Sequence, residues 1–465
     1  MASRTRVRDV RATTAPSPAE RREAGRALRH NVPRKSHATW TAPADRPDPI
    51  RLLEDSDQGR LPELLPIRYG RMRQSPFTFL RGAAAVMAAD LASTPATGLR
   101  VQACGDCHIM NFGAFATPER NLIFDINDFD ETLPAPWEWD LKRLTASIEV
   151  AGRSAQFKAT ARARAVRAAI RAYRERMAEY AAMAPLEVWY QHIDLEPLVQ
   201  SIPDRMGRVQ TQKEIAKARK RTMPAHLFPS LASRTGRTVR VQDEPPLLFH
   251  ERAQRSRAYH KRAEDLFARY RQSLAAQYGV LFARFVLQDI AIKVVGIGSV
   301  GTLCAVALFL DAGGRPLFLQ VKEARASVLE PYAGASRYAT HGERVVVGQH
   351  LMQAASDIFL GWTAGLEPDR YFYIRQLRDM KIALPIEQTT DPVELEYFAQ
   401  ACGWALARAH ARSGDPAGIA GYLGRGEAFD EALTSFAAAY ADQTERDHAA
   451  LVKAIKEGRL KAKTE

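Results

Sequence analysis

Residues 284–324 constrain the fold more than any other stretch of this sequence: RFVLQDIAIKVV, then GIGSVG, TLCAVALFL, DAGGR and PLFLQVKEA. Three runs rich in Val, Leu, Ile and Phe, the last two joined by a Gly-Gly turn at 313–314, predict successive antiparallel strands. Most of the remaining chain has helical periodicity, so the expected class is α+β. Gly296, Gly298 and Gly301 form a GxGxxG. A dinucleotide-binding fold would need a helix directly after these glycines, and TLCAVALFL reads as a strand. The better fit is a loop whose backbone closes over phosphates, with Gly296, Gly298, Ser299 and Gly301 as its binding residues. Lys322, at the end of the third strand, then supplies a positive charge for them. Taken alone, a purely structural turn remains the alternative.

The rest of the chain divides around this sheet. The first 50 residues hold 11 Lys and Arg against 5 Asp and Glu, with Pro and Ser and no period, which predicts a flexible basic arm over residues 1–60. Residues 61–275 are expected to be mostly helical, 276–385 β-rich, and 386–465 helical again. Helical patterns cover about 139–183, 252–277, 336–357, 392–412 and 427–457, whereas 185–250 mixes turn signals with basic residues. The net charge of +13 favours anionic ligands. KARKR at 217–221 lacks interleaved aromatics, so it reads as a solvated face before it reads as a nucleic-acid patch. No run approaches the roughly 20 apolar residues of a membrane span, and no signal segment is recognisable, so a cytoplasmic location is expected. Cys104 and Cys107 form the single CxxC among four cysteines, too few for a zinc site or a disulfide scaffold.

GDCHIMNFG (105–113) and FDINDFDE (124–131) carry the second set of chemistry-bearing residues. Phosphoryl transfer needs a carboxylate that orients or deprotonates the acceptor hydroxyl, and oxygen ligands that hold Mg²⁺ against nucleotide phosphates. Asp106 and Asn111 have the five-residue spacing of such a loop. An EF-hand reading of DINDFDETLPAPW fails, because it lacks the central Gly and has Pro136 in place of the bidentate Glu.

GDxHxxN resembles the loop of the aminoglycoside and choline kinase branch of the protein-kinase-like fold, in which a second Asp follows on a short strand and a third opens a helix. The resemblance implies Asp106 as catalytic base, with Lys322 and His108 in the catalytic set. His108 would orient its neighbours rather than ligate. Asn111 and Asp128 become metal ligands, and Asp140, twelve residues after Asp128 in WEWDLKRL, braces the loop. It implies ATP and Mg²⁺ as cofactors, YFYIRQL with Gln376 as the segment touching adenine, and a helix glutamate pairing with Lys322, either Glu343 or Glu330. The order is reversed relative to a kinase, since the catalytic loop at 105 precedes the glycine loop at 296. The implied fold is therefore a two-lobed, circularly permuted one, which is admissible where chain ends lie close together.

From RMRQSPFTFLRG to LARAHARSGD the chain also resembles the bacterial DUF2252 family over about residues 50–445, a family whose substrate is undefined. Three function classes follow. The first is an ATP- and Mg²⁺-dependent phosphotransferase on a small-molecule acceptor. The second is an AMP transferase or a non-catalytic nucleotide-binding protein. The third, a metal-dependent phosphoesterase, would leave the glycine loop and Lys322 without a role.

Overall fold

A computed structural model describes residues 16–202, 208–209, 212–213, 215–216, 231–236, 238–250, 256–367, 369–377 and 389–463, and every structural statement below concerns these. The basic cluster at 217–221 lies outside them. The chain is a mixed α+β protein built around a six-stranded antiparallel sheet. In spatial order the strands are Gly361–Ala364, Tyr371–Gln376, Pro316–Ala324, Cys304–Asp311, Phe285–Lys293 and Leu248–Phe249. The three strands expected from residues 284–324 lie side by side, and the Gly-Gly turn is closed by Asp311, whose carboxylate accepts from the N–H groups of Gly313 and Arg315.

The strand Cys304–Asp311 reads as a continuous apolar run because both of its faces are covered. Ala305, Ala307 and Phe309 face the helices Arg257–Ser273 and Ala276–Phe282 through Phe267, Tyr270 and Phe282. Val306, Leu308 and Leu310 face a small hairpin, Ala232–Thr235 with Thr238–Val241. The hairpin strands Ala232–Thr235 and Thr238–Val241 and the helix Arg257–Ser273, expected in the helical part, thus pack on the sheet. Their apolar spacing shows an amphipathic helix, and what it covers is decided only on packing.

The largest core belongs to the helices Trp137–Ser154, Ala159–Tyr180, Pro392–Ser413, Pro416–Leu423 and Ala428–Lys456, with Trp137, Leu144, Ile170, Leu406 and Phe429 buried together. The helical pattern at 139–183 is two helices, separated where Gln156 takes a positive φ of 59°. All four cysteines are buried and free. Among the described residues no helix is long and apolar enough to cross a membrane.

The expected flexible arm is corrected from Ser17 onward. Pro18–Ala27 is a helix with a full capping box between Ser17 and Glu20. Gly25 lies against Gly418 with no room for a side chain, so this helix packs closely on Pro416–Leu423. Arg29 donates to the carbonyls of Gly421 and Tyr422, Arg34 to Leu423, and Arg46 bridges Asp90 and Asp447. Arg29, Arg34 and Arg46, three of the arginines that suggested a solvated arm, are fasteners.

Candidate active site

Two short antiparallel strand pairs carry the acidic motifs. Arg100–Ala103 pairs with Leu133–Pro136, and Phe112–Ala116 pairs with Leu122–Ile126. The second register sets Phe112 opposite Ile126, so Asn111 and Asn127 face each other at the open end, joined by an N–H to carbonyl bond of 2.8 Å. Asn111 is thereby brought beside Asp128, 17 positions along the chain.

The 105–111 loop is fixed from below. Asp140, near the start of the helix Trp137–Ser154, accepts from the backbone N–H of Cys104 at 2.6 Å and of Gly105 at 2.9 Å, and its Oδ2 lies 3.1 Å from His410. Gly105 has φ +85°, and a Cβ there would run into the carbonyl oxygen of Glu131, so no other residue fits. Arg143, one helical turn after Asp140, donates through Nε to Asp106 Oδ1 at 2.6 Å and through Nη2 to the carbonyl of Leu80. The Asn111 amide nitrogen donates to the Asp106 carbonyl at 2.7 Å, which leaves its Oδ1 as the atom to offer a ligand. His108 is buried with Nε2 3.8 Å from Asp106 Oδ2. Burial pushes its pKa down to about 3, against the pull of Asp106, so the ring is neutral.

The sheet supplies the opposite wall. Lys322 stands opposite Tyr373 on the neighbouring strand, as Gln320 stands opposite Arg375, and all four side chains share one face of the sheet. Lys322 Nζ lies 2.7 Å from Asp130 and 3.6 Å from Asp128. Burial alone would favour the neutral amine, but these carboxylates outweigh it and the lysine's pKa lies well above its ordinary value. Asp130 accepts from the Tyr373 hydroxyl at 2.6 Å and from Ser299 Oγ at 3.2 Å. Phe129, buried between the two acids, anchors the turn that holds both toward the cleft.

The glycine loop is clamped from outside the sheet. Arg60 donates at 2.7 Å to the carbonyls of both Gly298 and Val300, Leu61 N–H to that of Gly301 at 2.7 Å, and Arg71 to that of Gly296. Two adjoining cavities, of about 210 and about 530 Å³, share Asp128, Gly296 and Ser299 in their walls. The smaller holds Asp106, His108, Asn111 and Gly298, and the larger holds Lys322 and Gln376.

Most residues singled out in the sequence therefore meet in one cleft, with Asp140 beneath it and Gly301 at its edge. Glu343 does not pair with Lys322. It sits in the first turn of the helix His341–Met352, where its N–H is capped by Thr340, and Glu330 accepts from Ser327 N–H. Asp130 occupies the place assigned to a helix glutamate, because the turn after Phe129 reaches Lys322 directly. Asp125, the first acid of FDINDFDE, does not reach the cleft: it is fully buried against Arg408 at 2.7 Å.

Sequence reasoning missed Arg143, Tyr373 and Glu131. Arg143 carried a signal, its three-residue spacing from Asp140 on one helix face. Tyr373 had none until the strand register was known. Glu131 lines the smaller cavity, and burial, opposed by the Val328 N–H and Arg344, pushes its pKa up to about 7. Among the described residues no group of three or more His, Cys, Asp or Glu is arranged to hold a metal alone.

A family profile described as an uncharacterized protein conserved in bacteria (DUF2252) matches residues 60–454. No curated protein and no solved structure matches the chain.

Proposed function

Because the chain belongs to the DUF2252 family, whose description assigns no activity, its chemistry must be read from the cleft. We propose that it is an ATP- and Mg²⁺-dependent phosphotransferase acting on a small-molecule hydroxyl, on a circularly permuted protein-kinase-like fold. Convergence carries this reading: Lys322 and the glycine loop meet the 105–111 loop and Asp128 although Lys322 and Asp130 are 192 positions apart. A surface turn and an unrelated acidic run would have no reason to share a cavity wall.

Lys322, kept charged by Asp128 and Asp130, would pair with phosphate oxygens under the glycine loop. Asn111 Oδ1 and Asp128 fit Mg²⁺, which is bound through one or two protein oxygens plus phosphates and water rather than by a full protein cage. Once bound, the ion would offset charge on the transferring phosphoryl group. Asp106, with Oδ1 fixed by Arg143, would present Oδ2 to the acceptor. The hydroxyl oxygen forms its bond to the γ-phosphorus, the bond to the bridging oxygen of ADP breaks, and the hydroxyl proton passes to Asp106.

Incubation with α- or γ-labelled ATP and a metabolite pool tests this. The γ label should move to an acceptor. Asp106→Asn should lower turnover by about 10²- to 10⁴-fold while ATP still stabilises the protein, whereas Asp128→Asn should lose both. Movement of the α label would make the protein an AMP transferase. Failure of ATP with Mg²⁺ to raise the melting temperature at millimolar concentration would overturn the reading.

A further inference from the structure

The larger cavity has a back wall of side-chain amides, and their hydrogen bonds run in one direction. The chain starts at the backbone carbonyl of Ile126, which can only accept. It therefore takes the Nε2 of Gln353, at 2.7 Å. Gln353 Oε1 then points away from that carbonyl and accepts from Gln349 Nε2 at 2.8 Å and Ser356 Oγ at 3.2 Å. The orientation of Gln349 is thus decided by its neighbours: flipping either amide would set two donors or two acceptors against each other. What remains is Gln349 Oε1. It is buried, in a residue only 3% exposed, it has no hydrogen-bond partner among the described residues, and its residue borders the cavity. A buried acceptor left unpaired is costly, and native structures supply such atoms with a donor.

We propose that Gln349 selects the nucleotide base, its Oε1 accepting a hydrogen bond from the 6-amino group of adenine. This assignment rests on the nucleotide reading of the cleft. The phosphate end of the cavity is marked by Lys322, Gly296 and Ser299, so the base lies toward the other end. There Ile358 and Leu377 offer apolar surface, and Ser356, the second donor to Gln353, is followed in the chain by Asp357, whose carboxylate takes the Gln376 N–H. A base with an amino group at its 6-position completes the wall. A 6-oxo base sets an acceptor against an acceptor, and a site built around one hydrogen bond rejects a ligand that cannot make it.

The test is a binding series on the full chain with Mg²⁺ and three triphosphates that differ only at position 6 of the purine: ATP with an amino group, purine riboside triphosphate with hydrogen, and ITP with oxygen. The wild type should bind ATP at least about tenfold more tightly than ITP, with the unsubstituted purine between them. Gln349→Met, similar in length but without the acceptor, should bring the three within about threefold of one another. Lys322→Ala should weaken all three by the same factor. Equal binding of ATP and ITP by the wild type, still dependent on Lys322, would overturn the role of Gln349 and leave the nucleotide reading standing. Discrimination surviving in Gln349→Met would do the same. No binding of any triphosphate would remove both. Should Gln349→Met fail to fold, the wild-type series alone decides.

Discussion

The two walls of the cleft are held by different means. In the helical wall the carboxylates that hold the 105–111 loop and the strand Leu122–Ile126 have partners inside the same body: Asp140 takes the N–H groups of Cys104 and Gly105, Asp106 takes Arg143, and Asp125 takes Arg408. The glycine loop of the sheet wall makes its main fastenings elsewhere, its carbonyls being taken by Arg60, Leu61 and Arg71 from a segment more than 200 positions earlier. Glycines free a backbone to approach phosphate and leave it nothing of its own to hold on with. The lesson is that preorganisation on the sheet side is borrowed. Losing it should soften the loop without unfolding the protein, whereas losing a helical-wall partner should cost the fold itself.

The strongest way to break this contrast is Arg408→Met. It strands Asp125 in a fully buried site, and removal of one partner of a buried pair costs about 3–5 kcal/mol. Urea unfolding should show a loss of that size, and a loss below about 1 kcal/mol would mean the helical wall does not depend on its internal pairs.

Arg60→Ala should cost less, about 1–3 kcal/mol for two carbonyls left without their donor. Its signature should be local. Amide exchange should quicken across 296–301 and stay unchanged across 104–111. Equal quickening on both walls would erase the distinction.

An effect that is absent at neutral pH and grows with acidity sets the helical body apart. His37 is buried against Tyr422, and burial, aided by Lys142, pushes its pKa down to about 3 from 6.5. Between those values the unfolded chain binds a proton that the folded one excludes. Stability from this group is therefore complete above about pH 6.5 and falls as pH drops toward 3, by about 1.4 kcal/mol per pH unit. Comparing urea midpoints of the wild type and His37→Phe from pH 7.5 to 4.5 isolates that slope. Parallel curves would show that His37 is protonated in the fold.

Much of the architecture was legible because its signals are local. The strand Tyr371–Gln376, the helix Pro392–Ser413 behind its Asp391 cap, and the three strands of 284–324 follow from periods, caps and glycine turns a few residues long. The 105–111 motif and the glycine loop were visible for the same reason. Partners separated by hundreds of positions leave no such trace. Nothing in the spacing of Glu343 or Asp130 says which of them reaches Lys322, and no period marks Arg34 as a donor to Leu423.

By itself the sequence determined the class, the sheet hairpin, the family and most of the polar residues that line the cleft, since each of these is written in short-range pattern or in recognisable strings. Tertiary structure alone decided that the 17–60 segment is a fastener, that Asp130 answers Lys322, and that Gln349 turns a lone acceptor inward. Ion pairs and hydrogen bonds are settled by distance in space and by which donors remain unclaimed after packing, and neither quantity exists along the chain.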